Sequence, residues 1–518
     1  MGTSLRFKQR CISMSLDGSA NLTILAGALC LGLAQPGLAQ QASEVQELRS
    51  QLQRMQAEFD RQQALQRQQI EQLRRQIEAL SAPSTNPAAP ALPSSSAKAQ
   101  REEGSRPGWK PSDPIRLAAR GGKAYLDLAL DVSAVAGAST ADDIEGGTQL
   151  GGHDPVQRGF TLQGVELGLS GAIDPYFSGQ ANLLFQIDSS GESFFELEEA
   201  YLETSRLPAG LSLRAGQFLS SFGRLNTQHP HAWAFVDTPL ANGRFLGPDG
   251  LRNLGARLSW LVPTPFFSEL SLGVQNSHGE TAFNFRNEFE GDPRFHRPQT
   301  VGSLASVNDL LFTPRLATSF NLTDRQTLLA GASAAFGPNS SGAGDTDTQI
   351  YGADLFWKWT PSTQTRGYPF VSLQTEAMLR RYQAGAFDWD LDGNATVNPD
   401  GSELDGDGDG VPDLVTRETL KDYGLYSQLA YGFTRGWVVG LRGEYVDRFH
   451  LGGYEASFGS DLERAGRWRV APNLTWFPSE YSRIRLQYNY DQRRMMGTDH
   501  SIWLQFNFAL GAHAAHGF

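Results

Sequence analysis

Apolar and polar residues alternate strictly in the C-terminal part of this chain, and few folds accommodate such a pattern. In SRIRLQYNYD, Ile484 and Leu486 lie on one side of an extended chain, whereas Arg483 and Arg485 lie on the other. Side chains of a β-strand point alternately to its two faces, so a period of two predicts a strand with one apolar and one polar face. The segment IWLQFNFAL repeats the pattern.

This alternation continues from residue 121 onward and predicts sixteen strands. They cover 123–137, 160–173, 177–187, 194–206, 211–222, 254–262, 266–277, 309–322, 326–336, 348–360, 369–384, 421–434, 436–449, 467–477, 481–491 and 500–512. The connections alternate between short turns such as DPY and FTRG and mostly long loops such as 223–253 and 385–420. A soluble sandwich has no reason to sort its loops, whereas bacterial outer-membrane barrels have an even strand number and this asymmetry. The sequence therefore predicts an all-β fold, a sixteen-stranded antiparallel transmembrane β-barrel over 121–518.

Three segments precede the predicted barrel. Residues 1–39 combine basic residues, an apolar stretch and small residues, which predicts a secretory signal peptide. Residues 43–80 have apolar positions three and four apart, which predicts a coiled-coil helix in the periplasm. That helix is compatible with self-association, as in a homotrimer, and with packing on another domain. Residues 81–115 are rich in Pro, Ala and Ser and predict an extended linker.

Charge and cysteine content exclude some classes of function. Both cysteines, Cys11 and Cys30, lie in the predicted signal peptide, so the exported chain is expected to contain no disulfide and no thiolate metal site. The formal net charge is −12, which argues against nucleic acid as a partner. The motifs G-x-S-x-G, H-E-x-x-H and the phosphate loop are absent from the sequence, and we expect no enzymatic activity.

Several short sequence segments resemble those of known porins. LEEAYLET (197–204), LRAGQFLSSFG (213–223) and APNLTWFPS (471–479) resemble the phosphate-selective porin O/P-type superfamily. The coiled coil, FGRLNTQHPHAWAFVDTPL (222–240) and LGAHAAHGF (510–518) are similar to a branch described as zinc-regulated outer-membrane receptors. The resemblance covers most of 121–518. It implies a diffusion pore of the bacterial outer membrane with a role in metal supply, and it does not identify the solute.

Basic residues on the predicted inward faces are expected to line the pore. They are Arg214, Arg442, Arg467, Arg469, Arg483 and Arg485. Rings of Arg favour anions in pores. Glu199, Glu203 and Glu444 are predicted to share the lumen. The charges are therefore equally compatible with a general, hydrated pore.

The long loop 223–253 is the predicted constriction, because the third loop of trimeric porins commonly folds inward. It contains His229, His231 and Asp237 in HPHAWAFVD. Two imidazoles and a carboxylate are suitable ligands for Zn²⁺. The alternative is a rigid, packed loop whose histidines only form hydrogen bonds.

A second metal site is predicted in the long loop 385–420. Two DxDxDG sequences occur there, and their acidic residues are Asp388, Asp390 and Asp392, then Asp405, Asp407, Asp409 and the following Asp413. Carboxylates two residues apart with a glycine at position six can bind Ca²⁺ in a tight turn. Position twelve is Pro399 or Thr416 instead of the Glu of an EF-hand. A solvated acidic loop is the alternative.

The predicted function is an outer-membrane porin for passive diffusion of small hydrophilic solutes or ions. Its expected partners are outer-membrane lipid, further copies of the same chain and those solutes. Two alternatives remain open from the sequence. One is a zinc-linked outer-membrane uptake receptor, and the other is a calcium-dependent adhesion or envelope-tethering protein that uses a barrel as its anchor.

Overall fold

A computed structural model describes residues 115–118, 124–286, 294–300, 303–388, 414–455 and 459–511. The predicted signal peptide, the coiled coil and the linker up to residue 114 lie outside the described residues. The same is true of six predicted calcium ligands, Asp390, Asp392, Asp405, Asp407, Asp409 and Asp413. Asp388 is the last residue before that gap. Within the described ranges, no helix is long and apolar enough to span a membrane.

Strands dominate the described part of the chain. They are β1 (Ile115–Ala118), β2 (Ala124–Ser139), β3 (Gly159–Ile173), β4 (Phe177–Ile187), β5 (Ser193–Thr204), β6 (Leu211–Leu219), β7 (Arg252–Leu261), β8 (Phe267–Asn276), β9 (Leu310–Thr323), β10 (Gln326–Pro338), β11 (Asp347–Trp359), β12 (Phe370–Ala384), β13 (Phe387–Asp388), β14 (Leu414–Val415), β15 (Glu418–Thr434), β16 (Trp437–Arg448), β17 (Arg467–Ser479), β18 (Ser482–Arg493) and β19 (Gly497–Gly511). One α-helix, α1 (Leu240–Leu246), lies between β6 and β7.

The long strands close into a barrel. From β2 to β12 and from β15 to β19 each strand pairs antiparallel with the next one, β12 pairs with β15, and β19 pairs back with β2. The closed ring has sixteen strands, which confirms the predicted number. The observed strand ends lie within a few residues of the predicted ones.

Three short strands were not predicted. β1 pairs with the start of β2, where Ile115 lies opposite Leu128, and Gly511 of β19 lies opposite the next residue, Ala129. β1 therefore continues the line of β19 along the edge of β2. β13 and β14 form a separate two-stranded pair. Strands of two to four residues are too short to show a period of two.

The two faces of the sheet differ in polarity as the alternation predicts. Outward side chains such as Leu258, Leu486 and Ile502 are exposed, whereas the inward Arg485 of β18 is 2% exposed. Outward aromatic pairs lie near both ends of the strands, with Trp437 stacked on Trp476 at one end and Trp468 beside Tyr490 at the other. An apolar band with aromatic residues at its borders matches a lipid-facing surface.

Residues 220–251, which we call the inward segment, lie inside the barrel. They join β6 to β7, and every residue of α1 within them is buried. Phe222, Leu240 and Phe245 form an apolar cluster with inward residues of the wall, among them Ile350 and Met378. The lumen is therefore filled on this side by a hydrophobic core.

Two glycines on the wall provide room for this packing. A Cβ on Gly352 would lie 2.7 Å from the ring of Phe222, and a Cβ on Gly424 would lie 2.9 Å from the ring of Phe245. Both distances are too short for real contacts. A side chain at either position would therefore push the inward segment off the wall.

Candidate functional site

The inward segment is bound to the wall through its backbone. The carboxylate of Glu376 on β12 accepts hydrogen bonds from the amides of Arg224 (3.0 Å) and Leu225 (2.7 Å). Near the other end of the segment, Glu444 on β16 accepts one from the amide of Leu240 at 2.6 Å. Buried amides need such partners, and here charged acceptors from two different strands supply them. The position of the segment is therefore fixed across the lumen.

Asp237 joins the inward segment to β16, β17 and β18. Its carboxylate accepts hydrogen bonds from Arg442 (2.5 Å), Arg469 (3.0 Å), Gln487 (2.7 Å) and Asn489 (2.8 Å). Burial opposes ionisation of Asp237, but the two guanidinium groups outweigh it and hold its pKa below the ordinary value. The structure thus places Asp237 with the arginines of the wall and not with His229 and His231, with which it was predicted to bind zinc.

The two predicted histidines instead contact glutamates on the other side of the lumen. Their rings are stacked with centroids 5.8 Å apart. His229 Nε2 lies 3.0 Å from an oxygen of Glu199, and His231 Nδ1 lies 3.0 Å from an oxygen of Glu166. A third histidine, His153, lies with its Nε2 3.2 Å from Glu198. We call this group the His–Glu cluster, and its members are His153, His229, His231, Glu166, Glu198 and Glu199.

A β-bulge brings two adjacent glutamates into the cluster. Asn182 of β4 lies opposite Glu199 and Leu183 lies opposite Leu197, so Glu198 is the extra residue in β5. Both Glu198 and Glu199 are consequently buried on the inner side. Bulges commonly redirect side chains at functional sites. The two consecutive acids in LEEAYLET break the alternation, but two adjacent residues alone do not distinguish a bulge from an outward-facing acid, and no bulge was predicted.

Three ligand atoms of the cluster converge on one point. One atom each of Glu166, Glu198 and His229 lies within 4.8 Å of the other two. Oε2 of Glu198 and Nδ1 of His229 lie 3.3 Å apart, yet neither has a hydrogen bond within the described residues. Burial lowers the pKa of His229, but Glu166 and Glu198 oppose it and raise this pKa well above the ordinary value. Glu166, Glu198 and His153 were not predicted from the sequence to be site residues.

The predicted pore-lining arginines fall into two groups. Arg467 and Arg469 both bind Asp491, and Arg442 binds Glu444 as well as Asp237. Arg214 of β6 is half-buried. Its guanidinium lies 2.6 Å from Glu203 and over the ring of Tyr201, both on the paired strand β5. In each of these pairs the positive charge of the arginine is balanced by a neighbouring carboxylate.

Arg483 and Arg485 form the second group. Both are buried, at 3% and 2% exposure, and both donate to the carbonyl oxygen of Trp233, at 3.2 and 2.9 Å. No salt bridge to either is found among the described residues, and Nε and Nη2 of Arg483 have no hydrogen bond there. Positive charge is therefore concentrated beside Trp233, and Arg483 interacts with a carboxylate, that of Asp131, only at longer range.

Cavities lie on both sides of the inward segment. On the side of the long loops a cavity of about 960 Å³ is lined by Arg244, Arg493, Asp143, Glu280 and Met495 among others. On the side of the short turns a cavity of about 70 Å³ is lined by Arg224, Trp233, Arg483, Arg485 and polar wall residues such as Gln374 and Asn473. The wide side is of mixed charge, and the narrow side is mainly basic.

No family model matches the chain. Among solved structures, the outer membrane channel DcaP of Acinetobacter baumannii is similar with a TM-score of 0.48 and 14% identity, covering 76% of this chain and 99% of that one. The anion-selective porin from Comamonas acidovorans has a TM-score of 0.45 and 10% identity, covering 75% of this chain and all of that one. An uncharacterized protein of Aquifex aeolicus (strain VF5) is 32% identical over 391 residues, 71% of this chain and 73% of its own length. Identity at this level over most of both chains shows that this chain belongs to the same family as the Aquifex aeolicus protein.

Proposed function

We propose that this protein is an outer-membrane channel for the passive diffusion of small hydrophilic solutes or ions. The observation that carries the proposal is a closed barrel with an apolar outer face and a charged lumen that the inward segment narrows. A closed sheet leaves no unpaired strand edge in the hydrocarbon layer, which is the requirement for β-structure in a membrane. Polar groups on the inner face keep such a lumen hydrated.

The packing of the lumen supports a solute route past charged residues of the wall and not past the apolar cluster. The apolar cluster fills the region next to Ile350 and Met378, where water and ions are not stabilised. The cavities of about 960 Å³ and about 70 Å³ are both lined by charged side chains, and the smaller one, beside Trp233, Arg483 and Arg485, is the expected constriction for a solute.

Conductance across a planar bilayer tests the proposal. We expect the purified, folded protein to give steady single-channel currents, and we expect Trp233→Ala to increase the unit conductance because this side chain lines the narrow cavity. Trp260→Ala on the outer face is the matched control and should leave the unit conductance unchanged. A folded protein that gives no current would contradict the proposal.

A second candidate is a zinc-linked uptake receptor. The His–Glu cluster favours it, because three histidines and three glutamates lie in one part of the lumen. Uptake of Zn²⁺ into liposomes that contain the protein, in excess over the uptake of similar small cations, would support this role. Equal permeation of all small cations would leave the general channel as the function.

We also propose that the channel is a homotrimer surrounded by outer-membrane lipid, with its predicted coiled coil in the periplasm. The coiled-coil pattern of residues 43–80 supports self-association. Mass measurement of the detergent-solubilised protein tests the number of copies. A mass that corresponds to a single chain, at protein concentrations as high as those in the membrane, would contradict the homotrimer.

A further inference from the structure

We infer that Glu166, Glu198 and His229 bind one divalent cation of borderline softness, such as Zn²⁺ or Co²⁺, and that this ion ties the inward segment to the barrel wall. Glu166 belongs to β3, Glu198 to β5 and His229 to the inward segment. An ion held by all three would thus join two strands to the segment that narrows the lumen. Binding does not depend on the channel function, whereas an effect of the ion on ion flow would rest on it.

The geometry of the three side chains carries the inference. Their ligand atoms lie within 4.8 Å of one another, with His229 Nδ1 at 3.3 Å from Glu198 and 3.5 Å from Glu166. A Zn²⁺ ion at about 2.0–2.2 Å from each ligand separates neighbouring ligand atoms by about 3–3.5 Å. The observed spacing is therefore close to that of an ion site.

Two of these atoms have ion-pair contacts but no hydrogen bond. Oε2 of Glu198 and Nδ1 of His229 lie 3.3 Å apart, and neither forms a hydrogen bond with the described residues. Both side chains are largely buried, at 6% exposure for Glu198 and 10% for His229. Buried polar atoms are nearly always hydrogen-bonded. A cation between the two atoms gives each of them a ligand bond in place of the missing hydrogen bond.

The outer contacts of the ligands match those of metal sites. Nε2 of His229 lies 3.0 Å from Glu199, so a carboxylate fixes the ring with Nδ1 facing Glu198 and Glu166. His153 contacts the other oxygen of Glu198 at 3.2 Å, and His231 contacts the second oxygen of Glu166 at 3.0 Å. A metal-bound imidazole typically donates its second N–H to a carboxylate, and ligating carboxylates are themselves hydrogen-bonded.

The ligand set also selects the class of ion. One imidazole nitrogen and two carboxylate oxygens suit Zn²⁺ and Co²⁺, with a fourth position left for water or an anion from the lumen. Ca²⁺ takes six to eight oxygens, and Mg²⁺ requires an octahedral shell of oxygens. We therefore expect little binding of either alkaline-earth ion at this site.

Direct binding of the metal tests the inference. The full-length protein, folded in detergent and stripped with a chelator, should bind one Zn²⁺ per chain at the cluster in calorimetry, and Co²⁺ should give the visible absorption of a tetrahedral site. Glu198→Gln should abolish both signals, and Glu199→Gln should weaken binding by about 10- to 100-fold because it removes an outer contact. His500→Ala, which removes an outward histidine that contacts Tyr488, is the matched control and should bind as the wild type does.

Folding of each variant is checked by the heat-dependent mobility of the barrel in SDS gels. Zn²⁺ should also slow proteolysis within residues 220–251 in the wild type and not in Glu198→Gln. The site is supported if Glu198→Gln folds into a barrel and binds one Zn²⁺ fewer per chain than the wild type. Equal Zn²⁺ binding by wild type and Glu198→Gln, or displacement of bound Zn²⁺ by an equal concentration of Ca²⁺, would overturn it whatever the conductance shows.

Discussion

A single carboxylate, that of Asp237, contacts three strands of the wall. The arginines that bind it, Arg442 and Arg469, are buried at 1% exposure each. We expect Asp237→Ala to leave two buried positive charges without this partner, and such a loss typically costs about 3–5 kcal/mol. The variant should have a lower melting temperature and faster proteolysis of the inward segment.

The control for Asp237 is an acid in an exposed ion pair. Asp142 contacts Arg158 at 2.9 Å, and its side chain is 98% exposed. Exposed pairs contribute little to stability, so Asp142→Ala should melt as the wild type does. Equal melting of Asp237→Ala and wild type would show that Asp237 does not hold the segment.

Asp154 predicts a dependence of stability on pH. Burial and the nearby Asp237 carboxylate raise the pKa of Asp154 to about 7. The folded protein therefore binds this proton more tightly than the unfolded chain, whose ordinary value is 3.8. This contribution to stability is complete below the unfolded pKa and is lost as pH rises to about 7.

Melting curves measure the effect. Relative to Asp154→Asn, the wild type should lose stability between about pH 4 and about pH 7, because the variant has no proton to release at this position. The amides of Thr238 and Gly151 donate to Asp154 in the wild type, so the comparison needs both curves across the whole range. If the stability of the wild type and that of Asp154→Asn changed with pH in parallel, the raised pKa of Asp154 would be contradicted.

At the scale of a strand, β18 places Arg483 and Arg485 on the same side of the narrow cavity. Two like charges that form no salt bridge with the described residues favour anions. One charge at 4 Å in water contributes about 1 kcal/mol, equivalent to about a fivefold change in anion preference. We expect Arg483→Gln with Arg485→Gln to shift the reversal potential in a salt gradient toward cations by at least this factor.

The matched control for these two arginines lies on the outer side of β12. Arg381 is exposed and contacts Gln349, so Arg381→Gln removes an arginine charge without touching the lumen. Its reversal potential should equal that of the wild type. A shift of the same size in both variants would mean that total charge, and not the narrow cavity, sets the selectivity.

The pair β13–β14 joins the two ends of the acidic segment, since Phe387 lies opposite Val415 and Asp388 lies opposite Leu414. We propose that Ca²⁺ binds between these ends, with an affinity of about 10⁻⁴–10⁻³ M as in extracellular modules. Calorimetry should show binding in the wild type, and Asp405→Asn with Asp407→Asn should remove it. Asp142→Asn is the control, and unchanged binding in the double variant would contradict the proposal.

The strands of the barrel were predictable from the sequence, but the bulge in β5 and the partners of the inward segment were not. Alternation identifies a strand because every second residue has the same environment. At Glu198 that rule fails, since the extra residue shifts the inward face by one position. The contact of His229 with Glu166 joins residues of distant segments, which no local pattern reveals.

The interior of the whole barrel was also predicted only in part from the sequence. A polar lumen was predicted, and inward residues such as Arg485 and Gln487 agree with it. The apolar cluster around Phe222 and Phe245 was not predicted. Its members come from loops and from inward wall positions such as Ile350 of β11, so their shared core appears only once the sheet is closed.

The seam between the first and last long strands has a consequence for how the barrel can be made. Ser139 of β2 donates a hydrogen bond to Asp499 of β19 at 2.7 Å, across 360 residues of sequence. The edge of β2 has no partner in the ring until β19 is in place. Such an edge recruits other strands if it stays exposed. A barrel without β19 is therefore an open, aggregation-prone sheet instead of a smaller pore, which makes closure an all-or-none event that requires every strand.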